Sequence, residues 1–135
     1  MRYLLDTDTC IRLRSRRLAH LRERFLSLAP DDAAISAITY GELRVGAEKS
    51  VSPADAMVVL GQLLLALPVL PVTSEVGDTY AQIRADLERR GQPIGANDLW
   101  IAAHARTLQL TLVTGNEREF RRVPGLSVEN WTVAA

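Results

Sequence analysis

Tyr3-Leu4-Leu5-Asp6-Thr7-Asp8-Thr9 sets three consecutive apolar residues directly before an acid. A short apolar run of this kind reads as a buried strand. A carboxylate at its end is costly to desolvate unless a partner or ligand meets it. Two readings of Asp6 stand side by side: a cap or Asx turn for the helix predicted over Thr7–Leu13, or a functional acid. Asp8 is either the N-cap of a helix over 9–13 or a second acid of the same site. Outward from this stretch the pattern alternates. Leu18, Leu21, Phe25 and Leu28 predict a helix over 18–28, broken by Pro30-Asp31-Asp32. Ala33–Ser36 reads as a second strand and 39–48 as a helix. Ser52-Pro53 starts a helix that runs to about Leu67 and ends at Pro68. Residues 69–72 read as a strand, 74–90 as a helix stopped by Gly91, and 97–108 as a helix. Residues 111–114 read as a fourth strand, 115–122 as a polar turn with a short helix, and 126–129 as a last strand. Strands alternating with helices predict one α/β domain over 1–135, a mainly parallel sheet of short strands flanked by helices. In such sheets the working site lies beyond the carboxyl ends of the strands, where Asp6 and Thr114-Gly115-Asn116 fall.

Composition agrees with an ordered domain. Hydrophobic residues are 47% of 135, enough for a core without staples, and aromatics are only 5%, so Leu, Val, Ile and Ala should fill it. The single cysteine, Cys10, offers no internal disulfide and fits a reducing, cytoplasmic setting. Asp6 comes too early for a secretory leader, and the apolar run 57–70 is too short for a bilayer and is interrupted by Gln62 and Pro68. Its inner part, 60–67, reads as core before it reads as a partner surface. Sixteen basic and sixteen acidic residues cancel, so net charge points to no partner class. Every basic residue except Lys49 is arginine, which suits bidentate grip on phosphate and equally suits arginine-rich codon usage. The run Arg12, Arg14, Arg16, Arg17, Arg22 and Arg24 reads first as a solvated helical face.

The acids each have a structural reading beside a functional one. Thr39-Tyr40-Gly41-Glu42 has capping-box form, with Thr39 at N-cap and Glu42 at N3. Asp98 opens a helix, where an acid is favoured by the helix dipole, and nearby Trp100 suggests partial burial of that end. Thr114 with Glu117 has capping-box form as well. Together, three or four acids stand at the ends of successive elements of one small sheet. An oxygen-only set of this kind suits Mg²⁺, with Mn²⁺ as the alternative. His20 and His104 are isolated, zinc spacing is absent, and no Gly-Lys-Ser/Thr loop is present.

Four stretches in order carry a resemblance. They are Tyr3-Leu4-Leu5-Asp6-Thr7-Asp8-Thr9, Ile35-Ser36-Ala37-Ile38-Thr39-Tyr40-Gly41-Glu42-Leu43, Ile94-Gly95-Ala96-Asn97-Asp98-Leu99-Trp100-Ile101-Ala102-Ala103-His104, and Leu112-Val113-Thr114-Gly115-Asn116-Glu117-Arg118-Glu119-Phe120. Over nearly its whole length the chain resembles the PIN-domain toxins of the VapC type. The resemblance implies that Asp6, Glu42 and Asp98 converge on a divalent metal. Two departures stand out: the family usually has Asn where this chain has Asp8, and its fourth acid often lies where Asn116 stands, so that Asp8 and Glu119 become further candidates for metal and Asn116 for the catalytic set. It implies an endoribonuclease that is the toxin of a type II toxin–antitoxin pair. Water activated by the metal would cut structured RNA such as tRNA, leaving a 3′-hydroxyl and a 5′-phosphate, with Arg12, Arg14, Arg118 and Arg121 as candidates for holding the backbone. It further implies a homodimer, a VapB-like antitoxin whose arginine plugs the acidic site, and operator-DNA binding only through that antitoxin. Two other classes compete. A non-catalytic PIN-like RNA- or protein-binding module would share the fold. Asp6-Thr7-Asp8-Thr9-Cys10 also resembles the opening of haloacid-dehalogenase-type phosphatases, but Cys10 replaces the final Thr and Lys49 is the only lysine, in the wrong region.

Overall fold

Leu4 pairs with Ala34 on one side and with Leu112 on the other, so the opening strand is the middle of the sheet. The computed structural model describes residues 1–14 and 18–133. Strands β1 (Tyr3–Leu5), β2 (Ala33–Ser36), β3 (Val69–Leu70), β4 (Thr111–Val113) and β5 (Val128–Glu129) form one sheet in the order β3-β2-β1-β4-β5. Every pairing is parallel, a stricter result than the mainly parallel sheet expected. The helices are α1 (Thr7–Leu13), α2 (Ala19–Leu26), α3 (Ala37–Glu48), α4 (Pro53–Ala66), α5 (Ser74–Arg89), α6 (Ala96–Thr107) and α7 (Glu117–Phe120). Parallel strands need crossovers, and these helices supply them on both faces.

The strand period divides the core. Leu4, Ala34 and Leu112 face α5 and α6, packing on Val76, Ile83, Leu87 and Ile101. Tyr3, Leu5, Ala33, Ile35 and Val113 face the other way, onto Leu21, Leu43, Leu60 and Leu67. Leu4 and Leu5 are fully buried, each worth about 1.5–3 kcal/mol of transfer free energy. That burial on both faces explains why the strands read as unbroken apolar runs. Cys10 is buried in the second layer, and desolvation pushes its thiol pKa far up, so it is inert.

Several local expectations change. Ser36, not Thr39, caps α3: its Oγ accepts from Ile38 N at 3.1 Å, so the helix starts two residues early and Thr39 and Glu42 lie inside it. The Thr39–Glu42 capping box does not form. The Thr114–Glu117 box does not form either, because Thr114 Oγ1 accepts from Asn116 N at 3.0 Å while Glu117 pairs with Arg121 at 2.7 Å. Asp6, not Asp8, is the N-cap of α1. The third and fifth strands shrink to two residues each, since only those residues reach the neighbouring strand. In α4, Leu60 is buried but Val58, Val59 and Leu65 face solvent, Leu65 at 89% exposure, so core packing does not consume the apolar run. Arg16 and Arg17 of the basic run lie outside the described residues. Among the described residues no helix is long and apolar enough to cross a membrane.

Candidate active site

The sheet order reverses at β1: from it the chain builds outward through β2 and β3, then returns to β4 on the other side. The crevice between the carboxyl ends of β1 and β4 is therefore the place where open parallel sheets bind ligands. Asp6 and Thr114 stand at those ends. Asp6 N donates to Val113 O at 3.0 Å, and Thr9 Oγ1 donates to the same carbonyl at 3.2 Å, which fastens the two strand ends together.

Asp6 takes the capping role left open above, and it also reaches the crevice. Its Oδ1 accepts from Thr9 N at 2.8 Å as a helix cap, and its carboxylate also lines the crevice. Burial raises its pKa, and the hydroxyls of Thr114 and Thr9 pull it part of the way back. Around it opens a depression of about 290 Å³ lined by Asp6, Thr7, Asp8, Glu42, Asp98 and Asn116, with Ile11 and Phe120 as its apolar wall. Glu42 arrives from the middle of α3, where Thr7 Oγ1 donates to its Oε1 at 2.6 Å and itself lies 3.2 Å from Thr39 Oγ1. Asp98 arrives in the first turn of α6.

Asp98 is the electrostatic centre of the crevice. Its pKa rises to about 6, first through desolvation and then through the charges of Glu119, Asp6, Glu42 and Asp8. Four carboxylates press on a fifth, and among the described residues no side-chain cation pairs with Asp98. Asp8 sits on the rim, exposed and paired with Arg12 at 2.7 Å. Glu119 is turned aside: one oxygen accepts from Gly95 N at 3.0 Å and the other accepts from Asn116 Nδ2. It thus straps the loop after β4 to the start of α6. Asn116 is exposed on the rim and already donates to Glu119.

The donor chemistry fits a hard divalent ion, since every polar group reaching the crevice is oxygen or amide. The side chains are not yet closed around one. Among the described residues no three His, Cys, Asp or Glu form a set that could hold a metal ion as they stand. Glu42 is held by Thr7, Glu119 by Gly95 and Asn116, and Asp8 by Arg12. Thr7, Thr9 and Thr39 were not among the expected site residues, and Thr114 was placed there only as part of its loop. Only Thr7, placed between two acids, carried a signal in the sequence.

A PIN-domain family model matches residues 3–126. The chain is 41% identical over 131 residues to the tRNA(fMet)-specific endonuclease VapC of Salmonella typhimurium, covering 97% of this chain and 98% of that one. It belongs to the VapC branch of the PIN-domain family. Ribonuclease VapC2 of Haemophilus influenzae is 40% identical over 131 residues, 97% of this chain and 98% of its own. Among solved structures, DNA-bound VapBC from Salmonella typhimurium matches with a TM-score of 0.91 at 41% identity, over 97% of this chain and 98% of that one. VapBC2 from Rickettsia felis bound to a promoter DNA fragment matches with a TM-score of 0.91 at 35% identity, over 97% and 99%. VapC membership leaves the phosphatase reading without support. Lys49, the lysine such chemistry needs, is the exposed C-cap of α3, at the opposite end of that helix from the Ser36 cap.

Proposed function

We propose that this chain is an endoribonuclease dependent on Mg²⁺, or on Mn²⁺, that acts as the toxin of a VapBC pair and cuts structured RNA, with tRNA as the first class to try. The observation that carries the reading is the crowding of acids in one crevice: Asp98, with no side-chain ion-pair partner among the described residues and its pKa raised to about 6, feels the charges of four other carboxylates at the switch point of a parallel sheet. Asp6, Glu42 and Asp98 are the residues that hold the ion. A divalent cation in such a place acidifies water and offsets charge building on phosphoryl oxygens. The chain's own groups do the rest. Asp6 stays fixed by its cap to Thr9 and sets the position of the site relative to the sheet. Glu42 is oriented by the Thr7 hydroxyl. A crevice carboxylate takes the proton of the attacking water, which displaces the 3′-oxygen in line and leaves a 5′-phosphate. Among the candidate phosphate-binding arginines, Arg12 and Arg121 are already paired, with Asp8 and Glu117. Arg118 makes no ion pair among the described residues, so it is the first to test.

A VapB-like antitoxin is the expected partner, with operator DNA bound through it; the VapBC complexes that this fold matches include two that are bound to DNA. Its seat is the apolar face that the core leaves open. A groove of about 270 Å³ between α1, α2 and α4 is floored by Leu13, Phe25, Val59 and Leu63 and edged by Arg14 and Arg22. Apolar side chains with acidic flanks fit it. Leu26→Asp with Val59→Asp should abolish co-purification with the antitoxin and leave cleavage intact. Retained co-purification would move the seat elsewhere.

The test of the activity is end-labelled tRNA incubated with antitoxin-free protein in Mg²⁺, in Mn²⁺ and in EDTA. Discrete cuts that require the metal and vanish in folded Asp98→Ala support the reading. Equal cutting by the variant removes the site. No cutting of any RNA by protein that binds metal favours a non-catalytic module.

A further inference from the structure

Glu42 and Asp98 sit on different helices, α3 and α6, and neither side chain fixes how far apart those helices stand. A link lies beneath the crevice. Ser36 ends β2 and caps α3, and the oxygen that accepts from Ile38 N stands 2.8 Å from Nδ1 of His104 on α6. Both residues are buried, Ser36 at 0% and His104 at 1% exposure. Besides the lone pair that accepts the amide, the Ser36 hydroxyl has a proton to donate and a second lone pair, so it bonds Nδ1 in either tautomer of the neutral imidazole. Burial lowers the His104 pKa and keeps the ring neutral.

The register is informative. Glu42 lies six residues after Ser36, and Asp98 lies six residues before His104. At 1.5 Å per residue, each acid stands about 9 Å along its helix from the buried pair. The two helices therefore run in opposite senses from one hydrogen bond to one crevice. Around His104 the inner face of α6 is Ile101, Ala102, Ala103 and Ala105, all fully buried. In such a layer a polar pair gains little net stability over apolar packing, but it has one satisfied geometry, so its contribution is position.

We infer that the buried Ser36–His104 hydrogen bond is a positioning device that sets the separation of α3 from α6, and with it the spacing of Glu42 from Asp98 across the metal site. The inference rests on the metal-site reading above. His104 touches neither substrate nor metal; it acts through the two helices.

The test is Mn²⁺ affinity of the purified full chain, measured from free Mn²⁺ by electron paramagnetic resonance. The variants are His104→Asn, His104→Gln and His104→Ala, with Leu21→Ala as a core control matched in melting temperature. An Asn amide occupies the place of Nδ1 and keeps the bond to Ser36, whereas a Gln amide overshoots it. The expected result is affinity within threefold of wild type for His104→Asn and a loss of tenfold or more for His104→Gln and His104→Ala. Leu21→Ala should lose melting temperature without losing Mn²⁺. If His104→Ala fails to fold, the Asn and Gln pair carries the comparison. Wild-type affinity in His104→Gln, or an equal loss in Leu21→Ala, overturns the positioning role. A wild-type protein that takes up no Mn²⁺ removes the metal-site reading instead. Spacing is then read from the distance between nitroxides on Val45→Cys and Leu108→Cys, which Cys10, being buried, does not disturb. An unchanged distance distribution in His104→Gln overturns the inference, and a shifted or broadened one sustains it.

Discussion

The two walls of the crevice hold their carboxylates in opposite ways. On the β1 side, Asp6 is buried, capped into α1 and bonded to backbone and hydroxyls. On the α6 side, Asp98 is half-buried, feels the charges of other acids and has no side-chain ion-pair partner among the described residues. Asp6 is held by bonds that the fold itself needs, whereas the ionised Asp98 is disfavoured by its surroundings. The lesson is that a shared functional role does not imply a shared effect on stability, and substitution at the two positions separates the two.

The largest expected effect is on catalysis, and it should be alike on both walls. Asp6→Asn and Asp98→Asn each remove a metal-holding charge that supports several kcal/mol of transition-state stabilisation, so cleavage should fall at least about a hundredfold in either. A single-turnover assay on cut RNA measures it, and near-normal rates in one variant would mean that its wall is dispensable.

Stability should then split the walls. Asp6→Ala loses the α1 cap and leaves Thr9 N without its acceptor, a cost of about 1–2 kcal/mol, while Asp6→Asn keeps the cap and most of that stability. Asp98→Asn should instead raise metal-free stability at neutral pH. The sign follows from its raised pKa: the fold favours the protonated acid, so its contribution is full below about pH 4 and is lost as pH rises through about 6. With the crevice open to solvent, the loss is about 1–2 kcal/mol. Denaturant melts of metal-free protein at pH 5 and pH 7.5 should show wild type losing stability relative to Asp98→Asn. Parallel curves would show that the charges on Asp98 are compensated.

The smallest effect belongs to the tie from α1 to Glu42 on α3. Thr7→Val removes the hydroxyl that orients Glu42 and should weaken Mn²⁺ binding about tenfold, with little change in melting temperature. Calorimetric titration measures it, and unchanged affinity would show that Glu42 needs no guide.

How much of this the sequence revealed follows the range of the interactions. Short apolar runs are local patterns, so β1, β2 and β4 were legible and Asp6 stood out as the acid that follows β1, whereas Glu42 and Asp98 each read alone as a helix-terminal acid and were singled out only by the family resemblance. Helix caps were less so. Ser36 and Thr39 are equally good caps three residues apart, and only the end of β2 decides for Ser36. The exposed face of α4 was hidden because Met57, Val58, Val59, Leu60, Leu63, Leu64 and Leu65 are apolar all round, leaving no periodicity to show which side faces out. The Ser36–His104 pair joins residues 68 apart, and His104 looked isolated because its partner lies on another element.

The measurement that tests the acidic crevice most directly is a pair of thermal melts at pH 7.5, wild type beside Asp98→Asn, each with EDTA and with Mn²⁺. A crevice built to hold a divalent ion predicts a crossing: the variant melts higher in EDTA, and wild type gains in Mn²⁺ while the variant gains little. Two proteins that respond to Mn²⁺ alike, or a wild type that is the more stable in EDTA, would contradict it.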